Sequence, residues 1–238
     1  MPFSIDDFLG GNVKLKQYDI GYKATSDAVL LAAFVPAKAG ETVLDVGVGT
    51  GAVSLCLMAR VPNLQVTGLD IQKEMLCQAE ENAQINHQNL HLILGSVQNP
   101  PKELVEKTFN HVVTNPPYFS ETRERSEETC AIAHKQEVPL SVWLDFCLKR
   151  VKPKGTLTLI HRIESLPEIL KTLDGRLGSL VAVPIWPKAG KKPKRVIVQG
   201  TLNSKTPFAL HTGFVMYNDD DTQTPKMKEV MREGKALF

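Results

Sequence analysis

The chain predicts an α/β fold: a mostly parallel, twisted sheet of seven strands with helices on both faces and a C-terminal antiparallel hairpin. Three observations carry this. Short apolar runs alternate with longer stretches of helical periodicity, as expected for parallel strands covered on both faces by crossover helices. The last two runs, SLVAVPIW and KRVIVQGT, are joined by the turn PKAGKKPK with no helix between them, so they pair antiparallel. The 238 residues, 42% hydrophobic and 23% charged, can bury a substantial core.

The elements follow in order. After a turn-rich opening, Ser26–Val35 reads as a helix with Ser26 or Asp27 as its cap. ETVLDVG is a buried strand ending in glycine, and TGAVSLCLMARV is the helix after it. LQVTGLD is the second strand, QKEMLCQAEENAQINH a polar-faced helix and LHLILG the third strand. FNHVVTN is the fourth strand, PLSVWLDFCLKRV a helix, GTLTLIH the fifth strand and SLPEILKTLDGRL a further helix. Residues 1–38 form an N-terminal extension with one helix, 39–203 the core, and 204–238 a C-terminal extension.

The rest of the composition narrows the class. A net charge of +2 leaves any basic character local. Cys56, Cys77, Cys130 and Cys147 lie far apart without a CxxC pair, which predicts reduced core thiols in a cytoplasmic protein. The six histidines lack ligand-like spacing, so no metal site is expected. The acidic opening MPFSIDDFLGGN is no signal peptide, and no run approaches the roughly 20 apolar residues of a membrane helix.

The first strand runs into Asp45-Val46-Gly47-Val48-Gly49-Thr50-Gly51. Glycines there let the backbone turn sharply and approach a ligand at the carboxyl edge of the sheet. The spacing is DxGxGxG rather than the GxGxxG that cradles a pyrophosphate on a helix N-terminus. It suits a ligand without phosphate, S-adenosylmethionine, with Asp45 engaging the ligand's ammonium or organising the loop. Asp70 closes the second strand about twenty residues on, where a carboxylate can grip ribose hydroxyls, cap the next helix, or do both, with Ile71 beside it. Ser96 and Val97 follow the third strand, where Ser96 or Gln98 can supply a polar contact.

The fourth strand ends in Asn115-Pro116-Pro117-Tyr118. The Asn115 side-chain oxygen and the Pro116 carbonyl can each accept one N–H of a planar amine, freeing its lone pair and aiming it. The prolines hold that carbonyl rigidly, and the Tyr118 ring offers a stacking surface for a planar base. Taken alone, such a tetrapeptide is also a strand-terminating turn.

With its terminal hairpin, glycine loop and Asn115–Tyr118, the chain resembles the Rossmann-like Class I methyltransferases. The segment Gly21-Tyr22-Lys23-Ala24-Thr25-Ser26-Asp27 and the basic tail GKKPKRVIVQG make it similar to the bacterial tRNA-valine adenine N6-methyltransferase family. The resemblance implies methylation of an adenine amino group in tRNA next to the anticodon. It implies Asn115, Pro116, Pro117 and Tyr118 as the catalytic tetrad. Cofactor contacts would come from Lys23, Ser26, Asp27, Asp45, Gly47, Gly49, Gly51, Asp70, Ile71, Ser96, Val97 and Asn115. RNA would meet Lys188, Lys191, Lys192, Lys194 and Arg195 in the tail, and Arg123 and Arg125 in the long irregular stretch Phe119–Val138. Three other readings stay open: a ribosomal-RNA guanine N2-methyltransferase, a protein glutamine N5-methyltransferase, and a non-catalytic RNA-binding protein on a methyltransferase fold.

Overall fold

The computed structural model describes residues 2–18, 23–117 and 138–238. A hairpin of β1 (Phe3–Phe8) and β2 (Val13–Tyr18) opens the chain, followed by α1 (Ser26–Phe34). The core continues as β3 (Thr42–Val46), α2 (Ala52–Arg60), β4 (Gln65–Asp70), α3 (Lys73–Ile85), β5 (His91–Leu94), α4 (Lys102–Val105) and β6 (Phe109–Thr114). Then come α5 (Leu140–Leu148), β7 (Val151–Arg162), α6 (Leu166–Leu173), β8 (Leu177–Trp186) and β9 (Arg195–Leu202). The chain ends with β10 (Ala209–Leu210), β11 (Phe214–Val215) and α7 (Pro225–Glu233).

The seven expected strands lie in the order β5-β4-β3-β6-β7-β9-β8. All neighbours are parallel except β9, which runs antiparallel to both β7 and β8. Two strands of two residues each, β10 and β11, pair with the outer edge of β8 and bring the sheet to nine strands rather than seven. Two residues carry no readable periodicity, yet they satisfy backbone groups an edge strand would leave open. Because β3, β4, β6, β7 and β8 all point the same way, their carboxyl ends share one edge. The loop from β6 to α5 and the β8–β9 turn leave the sheet on that edge.

Strand residues alternate between two cores. Val43, Val113, Ile160 and Ile197 face a layer built with α1, α2, β2 and α7; Leu44, Val112, Leu159 and Val198 face the layer of α5 and α6. Leu44 and Leu159 are fully buried, and truncating either to alanine would cost about 2–5 kcal/mol. Helix α1 is buried at every position after Ser26, so its apolar character runs all round. It stops before Pro36, whose ring disfavours a helical residue ahead of it.

Three local expectations change. The opening is a β-hairpin rather than plain turns, and β2 finds partners for its outer edge in an unusual place. Gln78, Asn82 and Asn86, one turn apart along α3, bond its backbone: Asn82 Oδ1 accepts from Lys16 N (2.7 Å), Asn86 Oδ1 from Lys14 N (2.9 Å), and Gln78 Nε2 donates to Lys16 O (2.7 Å). The cap of α1 is Thr25, neither Ser26 nor Asp27: Thr25 is extended and its Oγ1 accepts from Asp27 N (3.3 Å). Of the thiols expected in the core, Cys56 and Cys147 are buried, Cys77 is exposed on α3, and Cys130 lies outside the described residues. Among the described residues, no helix is long and apolar enough to cross a membrane.

Candidate active site

The glycine loop crosses the carboxyl edge between β3 and α2. Gly47, Gly49 and Gly51 have φ of 76°, 53° and 83°, the left-handed region where a Cβ is strained, so alternate glycines follow from the path of the backbone. The loop is held from every side. Gly47 N and Val48 N donate to Leu69 O (2.8 and 3.0 Å), Gly49 N donates to Asp70 Oδ2 (2.9 Å), and Asn82 Nδ2 donates to Thr50 O (2.9 Å). Asn82 therefore ties the loop to β2 as well, since it also accepts from Lys16 N.

Two carboxylates sit at this loop. Asp45 lies beneath it, 1% exposed, where Oδ2 accepts from Ser54 Oγ (2.7 Å); among the described residues its buried Oδ1 has no hydrogen-bond partner. Burial lifts its pKa to about 7, the Ser54 bond opposes that, and the charge of Asp70 adds to it. Through Ser54, Asp45 ties the end of β3 to α2, the helix that follows the loop. Asp70 ends β4, with Oδ2 on Gly49 N and Oδ1 on Gln72 N (2.9 Å). Burial raises its pKa too, against the backbone N–H bonds that lower it. A ligand that brings positive charge and hydroxyl donors relieves both desolvated carboxylates, and each Asp70 oxygen can accept a second bond. S-adenosylmethionine has both, and the residues fit it. Ile71 is 53% exposed beside Asp70, which leaves an apolar surface at the same rim. Beyond β5, Ser96 is half-buried with Oγ accepting from Gln98 N (3.2 Å), and Val97 is buried.

The end of β6 lies next to the loop, because β6 pairs with β3 up to Val46 and Thr114. Asn115 is half-buried, Pro116 buried and Pro117 exposed. The two prolines line a cleft of about 320 Å³ with Val138, Pro139, Leu140, Trp143, His161, Ser165 and Glu168. Thr114 Oγ1 donates to Val46 O (2.7 Å) and accepts from the Trp143 indole N–H (2.8 Å), so the ring of Trp143 is fixed between loop and cleft. A Cβ on Gly47 would lie 3.0 Å from that ring, a second reason for glycine there. Thr114, Trp143, His161, Ser54 and Asn82 were not foreseen. A tryptophan on the apolar PLSVWLDF helix, or a histidine within an apolar strand, reads as core until the topology brings it to the edge.

The remaining candidates divide. Ser26 is exposed at the start of α1, and so is Lys23 shortly before it. Asp27 is buried and its Oδ2 accepts from Arg195 Nε (2.8 Å), which joins α1 to the first residue of β9. Arg195 is thus engaged within the protein, as is Lys188, which pairs with Asp221 (2.9 Å) and donates to Asp219 O (3.0 Å). Lys191, Lys192 and Lys194 are exposed on the β8–β9 turn, at the same sheet edge as Asn115. Tyr118, Arg123 and Arg125 lie outside the described residues. Among the described residues, no group of three or more His, Cys, Asp or Glu side chains is placed to hold a metal ion.

Comparison with known proteins agrees with this geometry. Residues 22–138 match the family model of the methyltransferase small domain. A tRNA1(Val) (adenine(37)-N6)-methyltransferase of Shewanella halifaxensis is 29% identical over 75% of this chain and 74% of its own. One from Haemophilus influenzae is 24% identical over 94% of this chain and 96% of its own. Among solved structures, a predicted O-methyltransferase from Agrobacterium tumefaciens superposes with a TM-score of 0.72 at 24% identity, covering 89% of this chain and 98% of that one, which bears on the fold. A cofactor edge and an Asn-Pro-Pro strand end of this order, with such matches along nearly the whole length, make the chain a Class I S-adenosylmethionine-dependent methyltransferase that is similar to the tRNA1(Val) (adenine(37)-N6)-methyltransferases.

Proposed function

We propose that the protein methylates the exocyclic N6 amine of an adenine in tRNA, at the purine next to the anticodon, as a cytoplasmic enzyme. The observation that carries this is the place of Asn115-Pro116-Pro117: at the carboxyl end of β6, beside the glycine loop and on the rim of a cleft of about 320 Å³, which suits a single flipped base. The names of the relatives supply the substrate class.

The cofactor, when bound, supplies an electrophilic methyl group. Everything else falls to the chain. Asp70 and the glycine loop hold the cofactor, and Asp45 keeps the loop in shape. The Asn115 side-chain oxygen and the Pro116 carbonyl accept the two N–H groups of the amine, which turns its lone pair away from the ring and along the line of transfer. Trp143 and the prolines line the cleft that receives the base. The protein needs no general base, because a nitrogen that has gained a fourth bond is cationic and gives its proton to solvent. Lys191, Lys192 and Lys194 stand on the same edge, where they meet the phosphates of the RNA that carries the base.

Methyl transfer from labelled cofactor to total RNA, followed by nucleoside analysis, tests the reading. N6-methyladenosine is the expected product; N2-methylguanosine or label in protein glutamine overturns it. In the same assay Asn115→Ala, shown to be folded, is expected to lose roughly a hundredfold to a thousandfold in single-turnover rate while binding the cofactor normally.

A further inference from the structure

The N-terminal hairpin takes no part in the chemistry above, yet one buried side chain bonds it to the cofactor loop. Asn82 of α3 is fully buried, and all of its side-chain polar atoms are engaged. Oδ1 accepts from Lys16 N (2.7 Å), and Nδ2 donates to Thr50 O (2.9 Å) and to Lys16 O (3.3 Å). A buried amide inside a helix costs stability unless it is bonded in this way, and here the bonds go to the backbones of two other segments. Thr50 stands between Gly49 and Gly51, both with left-handed φ, so its neighbours leave the orientation of its peptide open and a group outside the loop must set it. Asp70 fixes the Gly49 N–H, and Asn82 fixes the Thr50 carbonyl. Lys16 in turn supports Asn82, with its own carbonyl also bonded by the buried Gln78 (2.7 Å). Asn86, one turn further along α3, offers a contrast. Its side chain bonds Lys14 N (2.9 Å) and Lys14 O (2.7 Å) on the same strand, and Asn82 O within its own helix (2.7 Å), with no bond to the loop among the described residues.

We infer that Asn82 is a positioning residue for the cofactor: braced by β2, it holds the Thr50 peptide of the glycine loop in its ligand-binding orientation, so that hairpin and cofactor stabilise one another. The effect falls on binding rather than on chemistry, because the loop grips the cofactor alike before and during methyl transfer. The assignment rests on the glycine loop being the cofactor site, which Asp70→Ala tests separately.

The test compares wild type, Asn82→Ala, Asn82→Asp and Asn86→Ala, each held well below its own melting temperature, with S-adenosylhomocysteine binding measured by calorimetry. Both alanine variants remove bonds to β2, and both are expected to melt earlier. Only the Asn82 variants are expected to bind the ligand more weakly, by roughly tenfold, the worth of one hydrogen bond. Asn82→Asp keeps an acceptor for Lys16 N but has no donor for Thr50 O, so it should lose affinity as Asn82→Ala does. In steady state Asn82→Ala should raise KM for S-adenosylmethionine by the same factor and leave kcat near that of wild type. A further measurement needs no variant. Saturating S-adenosylhomocysteine should slow hydrogen exchange of the Lys16 amide in wild type by roughly tenfold, under native conditions where that amide exchanges faster than the core of β3. Normal ligand affinity in folded Asn82→Ala, an equal loss of affinity in Asn86→Ala, or an unchanged exchange rate at Lys16 overturns the role of Asn82. If Asp70→Ala also binds normally, the loop is not the cofactor site and both assignments fall.

Discussion

Replacing Asp45 with asparagine isolates the strain held under the cofactor loop. The carboxyl group is 1% exposed and, among the described residues, is bonded by Ser54 alone; burial and the charge of Asp70, against the Ser54 bond, carry its pKa from 3.8 to about 7. A shift of that size, about 3 pH units at 1.36 kcal/mol each, corresponds to about 4 kcal/mol. The sign follows from proton linkage. Between pH 3.8 and 7 the folded protein keeps a proton that the unfolded chain has released, so stability falls as pH rises through that window and is flat above it. Asparagine removes the charge. Its oxygen can still accept from Ser54, but its amide N–H groups occupy the place of the unpartnered Oδ1, at a cost of about 1–3 kcal/mol. At pH 8 Asp45→Asn is therefore expected to be more stable than wild type by about 1–3 kcal/mol, a rise in Tm of roughly 2–12 °C. Near pH 4 the advantage disappears, because wild-type Asp45 is then neutral as well. Thermal melts of cofactor-free protein at pH 8, 6 and 4 measure this directly. The cationic cofactor favours the ionised form, so the variant should also bind it more weakly, and wild type should release a proton on binding near pH 6.5, seen by calorimetry in buffers of different ionisation enthalpy. A variant less stable than wild type at pH 8, or a stability gap that does not change with pH, would refute the reasoning.

Three further outcomes are expected. Asp70→Ala should weaken cofactor binding by about 1.5–3 kcal/mol, because it removes the proposed ribose acceptor and the anchor of Gly49 N together; calorimetry showing unchanged affinity in folded protein removes Asp70 from the site. Alanine at Lys191, Lys192 and Lys194 together should reduce RNA affinity and flatten its salt dependence without touching stability or cofactor binding. Arg195→Ala should instead lower Tm, by the equivalent of about 1–3 kcal/mol, since it breaks the ion pair of the buried Asp27. If the triple variant keeps its RNA affinity and salt slope, the turn is only a solvated surface.

Much of the protein was legible in the sequence because its elements are long and periodic. Apolar strands and their crossover helices fix a doubly wound sheet almost unaided, and the turn PKAGKKPK, too short for a helix, fixes the antiparallel β9. The glycine loop was legible for a backbone reason: Gly47, Gly49 and Gly51 all need positive φ. Asp70 and Asn115 were legible because strand ends in such a sheet converge on one edge. What the sequence did not reveal depends on contacts between residues far apart in the chain. Asp27 and Arg195 are separated by 168 positions, and only the packing of α1 against the ends of β7 and β9 turns a helix-cap candidate and an RNA-contact candidate into an ion pair. The amides of α3 that close the edge of β2, the clamp from Val46 through Thr114 to Trp143, and the entry of His161 into the cleft have the same origin. Periodicity tells which face of an element is buried; which neighbour it is buried against, and so which polar side chains find a partner or a substrate, is decided when the elements pack.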